Sequence, residues 1–466
     1  MAPTEPAKRS GVVFCGISRR RVECLAVFVF ALPLIIITSN LRSDFFAKGP
    51  AAARLEDDAR PTTLGAEGGK TAAFGDYPSS SMASTIWLPN DMISELLLEE
   101  QRQIVAEEMA DYIFPTGKYN TSASTLKDLI PEEGGEPLRS VVITTWRSGS
   151  TFLGDILNNQ PGNFYHYEPL LPQGVFQVGD ESPLANSSLS SLRELLHCNY
   201  TNMEAYLTYD RYYYWHLSHN SRLWKACKSH GLCWDPSFLA HFCKLFPFQS
   251  MKVVRLKLNL ASRLLEDDSL NMRIVFLVRD PRGTLQSRRL QDWCLPYPDC
   301  SDTQRHCSNL VDDYRAAVEL VKVYPHKFRV VRYEDLSLNP FEVTTDLFEF
   351  LGLAQGVGDK PGGTAEGSKE PRLYSSIVNF LETHTKADED GTSSPHKNSK
   401  LNAFRWRETL KVGEIATIQS SCKEAMLLWG YKELIIERNS SLDMGDSFMG
   451  QSDLDNFNPL MKLVLK

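Results

Sequence analysis

Short runs of β-branched and aliphatic residues punctuate the middle of this chain. Val141–Ile143, Ile274–Val278 and Phe328–Arg332 predict buried strands, and Phe164–Tyr167 and Val253–Leu256 predict two more. Apolar residues at helical spacing follow the first run at Phe152, Leu153, Ile156 and Leu157, and Thr284–Arg288 opens a second helix after Val278. Strands interleaved with helices predict an α/β fold, a parallel sheet flanked by helices. In such sheets ligands bind beyond the carboxyl ends of the strands. Two amphipathic helices lie outside this alternation. Asp91–Ile113 carries Leu96, Leu97, Ile104, Val105, Met109 and Ile113 on one stripe, with Asp91 as N-cap. Leu410–Tyr431 carries Val412, Ile415, Ile418, Cys422, Met426 and Leu427.

Other stretches lack apolar periodicity. Asp44 to about Thr85 is rich in Ala, Gly, Pro, Ser and Thr and reads as a flexible stem. Thr116–Pro137, Gln355–Arg372 and Thr385–Lys400 read as loops, and Asn439–Lys466 as an irregular tail. No internal repeat is present. The Asp91–Ile113 helix either packs on the following domain or forms a coiled coil in the stem, through which the chain would oligomerise.

One run is apolar throughout. Cys24–Ile37, CLAVFVFALPLIII, extends to 18 residues when counted through Leu41, against about 20 for a membrane helix. Lys8, Arg9, Arg19, Arg20 and Arg21 precede it. A cleaved signal peptide is the rival reading, but no small-x-small site directly follows the run. The basic cluster places the N-terminus in the cytosol by the positive-inside rule, so the expectation is a type II signal anchor with the remainder lumenal. Cysteine usage agrees. Beyond Cys15 and Cys24 an even set remains: Cys198, Cys227, Cys233, Cys243, Cys294, Cys300, Cys307 and Cys422. Their spacings do not match zinc motifs, so disulfides are expected, with the connectivity open. Sequons at Asn120, Asn186, Asn199 and Asn439 suit a lumenal chain. A net charge of −8 argues against a nucleic-acid partner.

Chemistry concentrates at two strand ends. After Val141–Ile143, the turn Arg147-Ser148-Gly149-Ser150 opens a helix with Thr151, Phe152 and Leu153. A helix N-terminus there offers unpaired N–H groups and the positive end of a dipole, a site for a phosphate-like anion. Arg147 adds a cationic fork, and Ser150 and Thr151 add hydroxyls. The turn lacks the Walker lysine, which speaks against a P-loop kinase or NTPase. After Ile274–Val278 comes Arg279-Asp280-Pro281-Arg282-Gly283, with Ser287 eight residues beyond Arg279.

Together RSGSTF and VRDPRGTLQSR resemble the two nucleotide-binding motifs of the sulfotransferases, which use 3′-phosphoadenosine 5′-phosphosulfate. More narrowly, the resemblance is to the Golgi carbohydrate 6-O-sulfotransferases acting on galactose, N-acetylgalactosamine or N-acetylglucosamine. It covers about Arg139–Tyr431 and includes Tyr167-Glu168-Pro169-Leu170, Arg332-Tyr333-Glu334-Asp335-Leu336 and Arg405-Trp406-Arg407. It implies that Arg147, Ser148, Gly149, Ser150, Thr151, Phe152 and Leu153 hold the 5′-phosphosulfate. Arg279 and Ser287 would hold the 3′-phosphate, helped by Asp280, Pro281 and Arg282. Arg147 would also stabilise the transferring group. Glu168 is the implied base, with His166 as a chemically credible rival, and no metal is required. The implied layout is a cytosolic tail (1–21), signal anchor (22–41), stem (42–138), catalytic domain (139–437) and tail (438–466), in the Golgi membrane, with a glycan acceptor placed near residues 180–250. A protein-tyrosine sulfotransferase and a non-catalytic lumenal glycan-binding protein on the same fold are the remaining alternatives.

Overall fold

The computed structural model describes residues 89–114, 123–354, 373–385 and 399–435. The anchor, the stem up to residue 88, the loop at 355–372, most of the loop after Thr385 and the tail beyond 435 lie outside these residues. Among the described residues no helix is long and apolar enough to cross a membrane.

Five parallel strands form one sheet: β1 (Leu138–Ile143), β2 (Asn163–Tyr167), β3 (Phe248–Val253), β4 (Met272–Val278) and β5 (Phe328–Arg332). Their order is β2-β3-β1-β4-β5. Val141 pairs with Met251 on one side and Ile274 on the other, so β1 is the centre of the sheet. Every residue of β1 and β4 is buried, as expected for strands covered by helices on both faces. From β1 the chain moves outward to β2 and β3, then returns to the other side for β4 and β5. The crevice beyond β1 and β4 is therefore where the connections diverge, the usual ligand position in such sheets.

The sequence pattern misplaced β3. It pointed to Val253–Leu256, whereas the strand runs Phe248–Val253 and Leu256 makes only an isolated bridge to Val178. Polar Gln249, Ser250 and Lys252 disguise the strand, yet all three are buried and bonded. Gln249 accepts from Arg139 at 3.2 Å, Ser250 accepts from Asn163 at 2.7 Å, and Lys252 pairs with Glu168.

Helix α1 (Asn90–Glu108) packs on this domain through Leu98, Val105 and Met109, which join the main core. Glu108 clamps it by pairing with Arg222 and accepting from the Gly162 N–H. Two expectations fail here. Leu96, Ile104 and Ile113 are exposed, and the residue preceding the helix is Pro89, so Asp91 lies in the first turn, where its charge favours the dipole. The predicted C-terminal helix is two, Val412–Ser421 and Lys423–Leu428, broken at Cys422.

That cysteine pairs with Cys307 on the helix Thr303–Val323. The other disulfides are Cys198–Cys243, Cys227–Cys233 and Cys294–Cys300, so all eight cysteines from Cys198 onward are paired. Two remaining helices carry the site: α2 (Ser150–Asn158) after β1 and α3 (Pro281–Arg289) after β4.

Candidate active site

The turn after β1 is built around Gly149, which precedes α2 with φ of 89°. A side chain there would be strained, and its Cβ would lie 2.1 Å from the Tyr333 ring. Arg147 also has positive φ, 66°, which costs a non-glycine residue about 1–2 kcal/mol. Ser148 turns inward. Its hydroxyl donates to the Thr145 carbonyl at 2.8 Å and lies 2.6 Å from Thr144 Oγ1, which donates to the Leu277 carbonyl. These bonds tie the turn to β4. Ser148 shapes the loop, then, and offers a ligand only its backbone. Leu153 is fully buried in the core, and Phe152 stacks on Phe380 with centroids 6.2 Å apart. The side chains left at the mouth of the turn are those of Arg147, Ser150 and Thr151, beside the first N–H groups of α2.

The second turn comes to meet the first. Arg147 Nε donates to Ser287 Oγ at 2.9 Å, and Arg279 donates to the Arg147 carbonyl at 2.9 Å and to the Asn402 carbonyl at 2.8 Å. Arg279 lies over the Tyr333 ring at 4.6 Å, and its buried Nε has no hydrogen-bond partner among the described residues. Desolvation at the cleft and the Arg279 guanidinium both push the Arg147 guanidinium below its ordinary value, although its side chain still reaches solvent. Two guanidiniums held this close, one with an orphan donor, suit a multiply charged anion.

Other residues of the second motif are structural. Arg282 is fully buried, bonded to both Asp280 oxygens and to Gln419 Oε1, and packed on Trp406 at 4.3 Å. It does not reach the cleft, contrary to the role the resemblance implied. Asp280 caps α3 by accepting from the Arg282 N–H, and Pro281 takes the first helical position, where proline is favoured. Glu334 accepts from the Asp280 N–H at 3.1 Å and from the Tyr431 hydroxyl at 3.0 Å. Burial and the neighbouring Asp280 push its carboxyl up to about 7. Arg288 is buried on the carbonyls of Trp146 and Cys300 and on Thr145 Oγ1.

Glu168 stands at the carboxyl end of β2 with φ of 41°. Its Oε1 is 2.9 Å from Lys252 Nζ and its Oε2 is 2.6 Å from Arg255 Nη1. Burial raises its pKa, but the two cations outweigh burial and leave the carboxyl well below its usual range, at about 2. It is therefore ionised at every physiological pH. Lys252 Nζ also lies 3.7 Å from the centre of the Tyr167 ring. Asp155 on α2, pushed up to about 6 by burial, feels the same lysine. Sequence reasoning missed Lys252 and Arg255; a basic residue inside the apolar run MKVVRL was the available signal. His166 sits in the core edge-on to Phe164, and burial followed by the Arg139 charge drives its imidazole down to about 3. It cannot serve the cleft as a base.

A sulfotransferase-domain family profile matches residues 137–430. The chain belongs to the sulfotransferase family. It is 26% identical to mouse carbohydrate sulfotransferase 1 over 68% of this chain and 82% of that one. Human carbohydrate sulfotransferase 6 is 28% identical over 67% of this chain and 86% of its own length. The sulfotransferase domain of the Synechococcus PCC 7002 olefin synthase overlays with a TM-score of 0.34 at 18% identity, over 62% of this chain and 93% of that domain. So low a score adds nothing to the assignment. The enzyme is a sulfotransferase.

Proposed function

We propose that this sulfotransferase transfers the sulfuryl group of 3′-phosphoadenosine 5′-phosphosulfate to a sugar hydroxyl, the 6-OH, of a glycan. The observation that carries the reading is the junction of the two turns at Arg147 and Ser287, with Arg279 behind it. One turn suits a 5′-phosphosulfate on a helix N-terminus. The other suits a 3′-phosphate held by Arg279 and Ser287. The curated relatives' names support a carbohydrate acceptor, and the 6-position rests on the resemblance of the motifs.

In this scheme the sugar oxygen bonds to sulfur as the bond from sulfur to the 5′-phosphate oxygen breaks. Charge grows on the leaving phosphate, where Arg147 and the α2 N-terminus face it. Glu168 takes the hydroxyl proton. Its low intrinsic basicity is set by Lys252 and Arg255. The test is the full-length enzyme with radiolabelled donor and a panel of glycans, comparing wild type with Glu168→Gln. The variant is expected to bind 3′-phosphoadenosine 5′-phosphate normally and to lose roughly 10²–10⁴ in kcat. Near-full turnover by the variant would remove Glu168 from the mechanism.

We extend the proposal to a type II protein of the Golgi membrane. The apolar run behind five basic residues supports the anchor, and four disulfides in the catalytic body support an oxidising compartment. Protease protection of microsomes carrying an N-terminally tagged chain tests the orientation; a protected tag would reverse it.

A further inference from the structure

Glu168 is held by its backbone as firmly as by its carboxylate. Its N–H donates to the Lys252 carbonyl at 2.9 Å, and its carbonyl accepts from the Leu171 N–H at 2.9 Å. That carbonyl also lies 3.1 Å from His216 Nε2. A carbonyl oxygen can only accept, so Nε2 carries the hydrogen. On the other side of the ring, Nδ1 is bonded to Asp210. Whichever of the two holds the shared proton, Nε2 remains the donor toward Glu168.

The pair is buried. The His216 and Asp210 side chains are 1% and 0% exposed. Tyr167, Tyr206 and Tyr209 stand edge-on around the imidazole, with centroids 5.8–6.0 Å away. Asp210 and His216 lie in the long connection between β2 and β3, on helices Glu204–Tyr212 and Trp215–Ser218. Two features need explaining together. A fully buried polar pair costs desolvation unless every contact is used, and a non-glycine residue at positive φ persists only where its surroundings over-determine it. The contact from His216 to the Glu168 carbonyl joins them.

We propose that Asp210 and His216 are positioning residues for sulfuryl transfer. Asp210 orients the imidazole, the imidazole holds the Glu168 carbonyl, and that carbonyl fixes the left-handed turn that presents the carboxylate between Lys252 and Arg255. The inference rests on the reading of Glu168 as proton acceptor. Neither residue exchanges a proton with substrate.

The test uses full-length enzyme with His216→Leu, His216→Gln and Asp210→Asn, alone and in the Glu168→Gln background. His216→Leu is expected to lower kcat at least tenfold and to leave the affinity for 3′-phosphoadenosine 5′-phosphate within twofold. His216→Gln, whose amide can donate to the same carbonyl, is expected to restore most of the loss, with Asp210→Asn between the two. In the Glu168→Gln background, His216→Leu is expected to cause no further loss, because the group it positions is already disabled. A purely stabilising pair gives a different result: melting falls while kcat of the folded fraction holds, or the same loss appears in both backgrounds. Any of these overturns the proposal, as does a glutamine variant no better than leucine. If His216→Leu does not fold, the ordering of His216→Gln and Asp210→Asn in the two backgrounds decides in its place. Near-full turnover by Glu168→Gln alone would instead reject the base itself.

Discussion

Arg147 and Ser287, 140 positions apart in sequence, share a 2.9 Å hydrogen bond that joins the turn after β1 to the helix after β4. The two turns proposed to grip the donor are thus in direct contact. Ser287 is both a candidate phosphate ligand and the residue that aims Arg147.

Removal of either 3′-phosphate ligand should therefore show a selective loss. Arg279→Ala and Ser287→Ala are expected to weaken 3′-phosphoadenosine 5′-phosphate by about 1.5–3 kcal/mol, the worth of a charge-assisted contact. Adenosine 5′-phosphosulfate, which lacks the 3′-phosphate, should suffer less. Because Ser287 also supports Arg147, its alanine variant should retain a residual loss for that ligand that Arg279→Ala does not show. Calorimetry with both ligands checks this, and equal losses throughout would refute the assignment.

The turn's geometry makes a second prediction. Gly149→Ala combines a left-handed φ with a Cβ driven into Tyr333. The backbone cost is about 1–2 kcal/mol, and the clash adds to it. Gly149→Ala should lower the melting temperature and abolish donor binding, and Tyr333→Ala in the same chain should recover part of the stability. Additive losses in the double variant would show that the two residues are not coupled.

Glu168 should also shape acid stability. Its carboxyl is depressed to about 2. The stability it contributes is then present above its ordinary value of about 4.5 and is lost as pH falls through about 2. Glu168→Gln leaves a buried lysine without its anion, at a cost of about 3–5 kcal/mol near neutrality. Denaturation at pH 7 and again near pH 3 should show that gap narrowing, because below about 4.5 the unfolded chain's carboxyl takes up a proton that the folded one still refuses. A gap independent of pH would contradict the ion-pair account.

Glu334 works in the opposite sense. Its carboxyl is raised to about 7, so its contribution is complete below about 4.5 and is lost as pH climbs through about 7. Glu334→Gln keeps an acceptor for the Asp280 N–H and removes the titration. The wild type should lose stability relative to this variant between about pH 4.5 and pH 7, with little further change above that. Parallel melting profiles across that interval would mean that Glu334 does not ionise there.

Much of this was legible because strand and turn chemistry coincide. The β-branched runs gave β1, β4 and β5, and the turn through Gly149 was visible at the end of β1. Ser287 was paired with Arg279 by the resemblance of the second motif. What escaped has one cause: polar residues whose partners are remote in sequence. Lys252 is buried in β3 because Glu168 meets it from the neighbouring strand, so hydropathy slid the strand toward Leu256. Arg282 looked like a ligand, but it pairs with Asp280 and donates to the remote Gln419 Oε1 inside the core. The Asp210–His216 pair carried no local pattern at all. The disulfide partners were likewise fixed by the fold and not by their spacing.

The strand order has an evolutionary consequence. Residues 168–247 leave the sheet at its β2 edge and return to β3, the next strand in. On the proposed function, the turns that would handle the donor follow β1 and β4, inboard of that excursion. A lineage can lengthen, shorten or rewrite the excursion without disturbing how the shared donor is gripped. New acceptors can then arise by remodelling one flank of an otherwise constant machine, provided that Glu168 keeps its place at the seam.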